Sequence, residues 1–98
     1  MTVAIPDSCS VFNCDEILNI FEYTEVRVTE HNDRRRLHEN TPDVSSNLDI
    51  ACQAKVWANH MAENNAWGHA PSSQRPGQGE NLAMTGSTRE LGLYTPEP

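Results

Sequence analysis

His69-Ala70-Pro71-Ser72-Ser73-Gln74-Arg75-Pro76-Gly77-Gln78-Gly79-Glu80-Asn81-Leu82 is the stretch on which the reading of this chain turns. It begins on an imidazole, passes through two prolines and two glycines, and reaches a carboxylate eleven residues later. That composition excludes regular structure and predicts an exposed loop over 68–79, able to fold back and set His69 beside Glu80. A histidine with a carboxylate to orient it supplies general acid/base chemistry or half of a metal site. It serves equally well as a structural hydrogen bond that pins a loop, and residue types and spacing leave these readings level. Zinc asks for about four donors, about three of them from protein where the site is catalytic, so two donors on one loop fall short.

Upstream of the loop, Ile50, Ala54, Trp57 and Met61 recur at spacings of four, three and four, flanked by Ala51 and Ala58, which predicts a helix with a broad apolar stripe. Ser46, three residues before Asp49, reads as its capping-box-like start, and Asn64-Asn65 with Gly68 as its end. Trp57 and Met61 at this spacing are core rather than a lipid box, and Cys52 beside the stripe reads as a half-buried free thiol. His60-Met61-Ala62-Glu63 lacks the paired histidines and the adjacent glutamate of a zincin motif.

An earlier helical pattern starts at Asp15, where Ile17, Phe21, Thr24 and Val28 share one face that continues to His31 and Arg35. Asn40-Thr41-Pro42 is expected to end it, because Pro42 disfavours helical geometry at Thr41 and Asn40 tolerates a left-handed cap. Whether the segment is one helix or two, broken near Thr24, stays open. Arg34, Arg35 and Arg36 spread over about 200° of the helix circumference and read as solvated surface rather than an anion or nucleic-acid patch. His31 and Asn32 read as polar packing against neighbouring backbone. Ser72 and Ser73 lie near His69, but nothing marks either as a nucleophile on a strained elbow.

Beyond the loop, Asn81-Leu82-Ala83-Met84 is expected to form a short strand. The weakly patterned remainder from Gly86 closes on Thr95-Pro96-Glu97-Pro98, which looks like the first turn of a helix with threonine as N-cap. Residues 1–21 read as a leader or linker and 22–98 as the folded unit.

At 98 residues the chain is one domain at most, able to bury about 60 to 65 % of its unfolded surface. Only 37 % of its residues are hydrophobic, which predicts a small or incomplete core. Fourteen acidic residues against seven basic ones give a net charge of -7, which argues against nucleic acid and anionic membrane surfaces. Met1 to Pro6 has no basic residue and only Val3-Ala4-Ile5 as an apolar run, so it is no secretory signal peptide; no transmembrane run follows, and Thr2 excludes myristoylation. Of three cysteines, Cys9 and Cys14 are near enough in sequence to bridge in an oxidising compartment, leaving Cys52 over. A zinc site on that pair lacks its second pair of cysteines.

Taken in order, His31-Asn32-Asp33-Arg34-Arg35, His38, Pro42, Ile50-Ala51, Ala54, Trp57-Ala58, His69 and Gly79-Glu80-Asn81-Leu82-Ala83 resemble the CAP superfamily of cysteine-rich secretory, antigen 5 and pathogenesis-related-one proteins (the SCP domain). The resemblance covers roughly residues 22–84, about two thirds of the chain. It implies an α+β fold, the N-terminal portion of an α-β-α sandwich with two helices, the His-to-Glu loop and one short strand. It also implies an extracellular life, although no signal peptide is present, and a cleft lined by two histidines and two glutamates. His69 and Glu80 match the first of each, with His31, Asn32, Arg35, Gly79 and Asn81 as supporting motif residues.

The segments that carry the family's second glutamate and second histidine have no counterpart here, and neither Glu90 nor Glu97 has the context to replace them. The chain is therefore expected to be a fragment or short form with the C-terminal half of the sandwich missing. The function this implies is binding of proteins, sterols or other lipids in defence, venom or signalling. A short form without independent activity is the alternative, and a metal-assisted hydrolase using His69 and Glu80 is a further one. No catalytic residue is assigned and no cofactor is required, with zinc a candidate only in an intact domain.

Overall fold

An asparagine starts the first helix. In this computed structural model, which describes residues 4–84, α1 spans Cys14–Arg35 and Asn13 is its N-cap. The Glu16 N–H donates to Asn13 Oδ1 at 2.8 Å, and the Asn13 N–H donates to Glu16 Oε1 at 2.9 Å, a reciprocal capping box. Asp15 and Glu16 in the first turn and Arg34 and Arg35 in the last oppose the helix dipole with the right sign at both ends. The helix runs unbroken through Thr24, whose hydroxyl is absorbed by the Ile20 carbonyl at 2.7 Å.

α1 ends five residues before Asn40, earlier than Asn40-Thr41-Pro42 suggested. Tertiary contacts account for the early stop, since side chains of the last turns reach back to hold the connector 36–47. Asn40 does adopt a left-handed conformation, with φ of 54°, but in the turn beyond the helix. The second helix, α2, spans Leu48–Glu63. Its N-cap is Asn47, whose Oδ1 accepts from the Ile50 N–H, so the Ser46 start is corrected by one residue. Asn64 caps its end and Asn65 turns left-handed, with φ of 48°.

The inner face of α1 is rotated from the expected one. Ile20 and Asn32 are buried while Phe21 is 46 % exposed and His31 is exposed, so the inward line runs Ile17, Ile20, Thr24, Val28, Asn32, Arg35. On α2, Ile50 and Ala54 are exposed and Cys52 is buried, so the stripe divides into a face towards α1 and a face towards the loop.

A disulfide lies where these inner faces meet. Cys9, in a 3-10 turn at Asp7–Cys9, is bonded to Cys52 on α2. Both are fully buried and, with Ile20, form the centre of a small core that Phe12, Ile17, Leu48 and Ala51 surround. The Cys9-Cys14 pairing and the free Cys52 thiol are thus corrected: Cys14 is the free, exposed cysteine at the start of α1. The bridge spans 43 positions and encloses all of α1, and a loop of that length restricts the unfolded chain by about 4 kcal/mol on the chain-entropy model. It also binds the segment before α1 to the body of the fold.

Among the described residues there is no strand: Asn81, Leu82, Ala83 and Met84 run without a pairing partner, so the expected strand and the α+β class are not seen and the described part is a small helical unit. A lone extended segment has no ladder in which to satisfy its backbone groups. The helix start at Thr95, with Glu90 and Glu97, lies outside the described residues.

Candidate functional site

The loop after α2 is fastened to that helix at both ends. At its beginning the Trp57 indole N–H donates to the Gly68 carbonyl at 2.9 Å, and near its end the Gln78 amide donates to Gln53 Oε1 at 3.3 Å. Between these points Ser72–Gln74 forms a 3-10 turn, a short regular element in a stretch whose composition suggested none. Arg75-Pro76-Gly77-Gln78 then closes with the Gln78 N–H on the Arg75 carbonyl at 3.0 Å, Pro76 second and Gly77 third with φ of 72°, the pattern of a type II turn.

That turn returns the chain to its start. His69 Nδ1–H donates to Glu80 Oε1 at 2.6 Å, and the Ala70 N–H donates to the same oxygen at 3.0 Å. The Arg75 guanidinium braces the loop from inside, donating to the Ala70 carbonyl at 2.9 Å and the Gln78 carbonyl at 3.0 Å, with its Nε 4.0 Å from Glu80 Oε1. The Glu80 side chain is 16 % exposed and that of His69 60 %. With Nδ1–H given to the carboxylate, a neutral ring carries its lone pair on Nε2, at the opposite edge.

Beside the pair lies a cleft of about 500 Å³, floored by Ile50, Ala54 and Trp57 of α2 and walled by Glu80, Asn81 and, across the opening, Ser8. The Ser8 hydroxyl donates to the backbone carbonyl and the carboxylate of Asp49. That bond, and after it one from Gln53, hold the Asp49 carboxyl below the usual carboxylate range. His60 stacks on Trp57 with ring centroids 4.9 Å apart and fixes the indole from its outer side.

No protein-family model, curated protein or solved structure matches this chain.

Of the residues singled out in the sequence, His69, Gly79, Glu80 and Asn81 are brought together on this loop. His31, Asn32 and Arg35 are not part of it. Asn32 clamps the connector, with its amide donating to the Val44 carbonyl at 2.9 Å and accepting from the Val44 N–H at 2.8 Å. Arg35 Nε donates to the Pro42 carbonyl at 2.7 Å, and His31 Nδ1–H to the Arg27 carbonyl at 2.7 Å. Arg34, Arg35, His31, His38 and Glu30 line a separate hollow, and the Glu30 carboxylate accepts from Arg27 at 3.1 Å.

Arg36 points elsewhere, to Asp43 at 2.6 Å, and this pair holds the carboxyl low and the guanidinium still more basic. Ser72 and Ser73 stand on the exposed 3-10 turn, while the His69 Nδ1 contact goes to Glu80. Arg75, Gln53 and Gln78 escaped the sequence reading. Arg75 could have been found from its place opening a Pro-Gly turn, whereas nothing local marks Gln53.

Zinc can be tested against the donors. Glu80 Oε1 is committed to His69 and Ala70, which leaves His69 Nε2 as the principal open donor of the pair. Among the described residues no group of three or more His, Cys, Asp or Glu gathers about a common point. Among the described residues this pair by itself falls short of the about three protein ligands that even an open zinc site takes.

Proposed function

We propose that this chain supplies a binding surface of the CAP type, in which the His69–Glu80 loop forms one wall of a ligand cleft, and that it works extracellularly by binding rather than catalysis. The observation that carries the reading is the closed loop itself. Glu80 commits its carboxylate to His69 Nδ1 and the Ala70 N–H and itself lines the cleft, over an apolar floor of Ile50, Ala54 and Trp57, while His69 orients it from outside that lining. An apolar floor with a few fixed polar groups suits a sterol, another lipid, or an apolar side chain of a protein. The Cys9–Cys52 disulfide supports an oxidising, extracellular setting. No helix among the described residues is long and apolar enough to cross a membrane. Titration of the 98-residue chain with a fluorescent sterol tests the lipid form: saturable binding weakened by Trp57→Ala is expected, and its absence refutes that form.

The thin core favours a second reading, in which the chain has no independent activity. Among the described residues, the only buried hydrophobic residues are Cys9, Ile20, Cys52 and Ala70, and Leu18, Phe21, Tyr23 and Val26 on α1 stay near half exposed. Surface of that kind drives association. A broad, non-cooperative thermal transition with concentration-dependent aggregation supports this reading; a sharp transition refutes it.

A further inference from the structure

We infer that the Cys9–Cys52 disulfide is a redox gate on the His69–Glu80 cleft, which is assembled in the oxidised protein and released on reduction by a dithiol. The inference rests on that cleft being the functional surface, yet the cleft contains no cysteine. Its dependence on the bridge runs through sequence neighbours of both half-cystines. Cys9 is preceded by Ser8, which walls the cleft and holds Asp49 at the start of α2. Cys52 is followed by Gln53, which holds Gln78 at the far end of the loop and also bonds Asp49. One covalent link therefore stands behind both the Ser8 wall and the Gln53 anchor.

Apart from the bridge, the 3-10 turn is held to α2 by the Ser8 hydroxyl on Asp49, and the one residue it buries is the half-cystine Cys9. Its backbone bonds, Cys9 to Pro6, Ser10 to Asp7 and Phe12 to Cys9, stay within the N-terminal segment. Without the bridge, the centre of the core keeps Ile20 but loses the link that brings Cys9 and Cys52 together. Both half-cystines are fully buried, so reduction follows a local opening that exposes a sulfur: a dithiol's thiolate attacks it to form a mixed disulfide, and its second thiol closes on the first. Two electrons pass to the protein, Cys9 and Cys52 each take up a proton, and the reductant leaves as a cyclic disulfide.

Hydrogen exchange of the full chain, with and without dithiothreitol, tests the gate. The Ala70 amide, held by Glu80 in the oxidised form, is expected to exchange at least on the order of tenfold faster after reduction, and to recover on reoxidation. A C9S/C52S double variant should show the fast exchange in both buffers, while Cys14→Ser tracks the unaltered protein. Far-UV circular dichroism locates the route: helices lost with the loop support coupling through the core, and helices kept while the loop is released support coupling through Ser8 and Gln53. Unchanged exchange over residues 68–80 on reduction, or slow exchange in the double variant, overturns the gate. Failure of sterol binding with the exchange difference intact would count against the lipid reading and leave the gate standing.

Discussion

Asn32 and Val44 are joined as if they were partners in a sheet: the side-chain amide of one exchanges two hydrogen bonds with the backbone of the other, at 2.9 and 2.8 Å. Asn32 is only 8 % exposed, so few waters can replace these bonds. Asn32→Ala is expected to cost about 1 to 3 kcal/mol, the range for leaving buried polar groups without partners. Urea denaturation measures it, and Asn32→Asp should not restore the loss, because its carboxylate faces the Val44 carbonyl.

Glu80→Gln retains the shape of the side chain and removes its charge. The charge-assisted bond to His69 becomes a neutral one, and the Ala70 N–H keeps an acceptor only if the amide oxygen is turned towards it. A loss of about 1 kcal/mol in loop protection is expected, read as faster exchange at Ala70 with α1 and α2 unchanged. Glu80→Ala should free the loop from residue 69 onward.

Two glycines of the same loop should respond differently. Gly77 has φ of 72° and Gly79 is in ordinary backbone, while a Cβ at either position meets nothing within 4 Å. Gly77→Ala is expected to destabilise by about 1 to 2 kcal/mol through its left-handed backbone, and Gly79→Ala to stay within about 0.5 kcal/mol. Thermal melting separates them. A Gly79→Ala protein that melts normally yet binds sterol poorly would mark close approach of the ligand to that backbone.

Acid should weaken the fold in a defined window. Asp43, through Arg36, and Asp49, through Ser8 and Gln53, both have carboxyls held below the usual range. A carboxyl depressed in the folded state contributes stability above its unfolded value, near about 4, and loses it as pH falls through the lower folded value. Urea midpoints taken from pH 5 downward should therefore decline, and the decline should be shallower in Asp43→Asn and in Ser8→Ala.

Both helices were legible because apolar spacing near 3.6 needs only local chain geometry to express itself. The first cap is legible too: Asn13 with Glu16 three residues on is a capping pair in the bare sequence, just ahead of the apolar spacing that starts from Asp15. The inner faces differ from the apolar spacing by one position on α1, Ile20 for Phe21, and by two on α2, Cys52 for Ile50, because the core is centred on a disulfide and hydropathy does not register that a cysteine pair occupies the middle. Cys9 and Cys14 are neighbours along the chain, but spacing of that kind says nothing about which helix a 3-10 turn lies against. The meeting of His69 and Glu80 followed from a Pro- and Gly-punctuated loop of the right length. The anchoring of Gln78 on Gln53, 25 positions apart, depends on how the loop lies on α2 and leaves no local trace.

Arg75 ties the two limbs of the loop to each other. Its guanidinium spans from the Ala70 carbonyl to the Gln78 carbonyl, so the ring that carries His69 and Glu80 is cross-braced within itself, while Trp57 and Gln53 of α2 hold it at Gly68 and Gln78. Brace and anchors act in series: the first fixes Glu80 against Ala70, the second fixes the ring on its helix. The direction of one imidazole edge is therefore shared out over residues of α2 and of the loop, and a change in either reaches it.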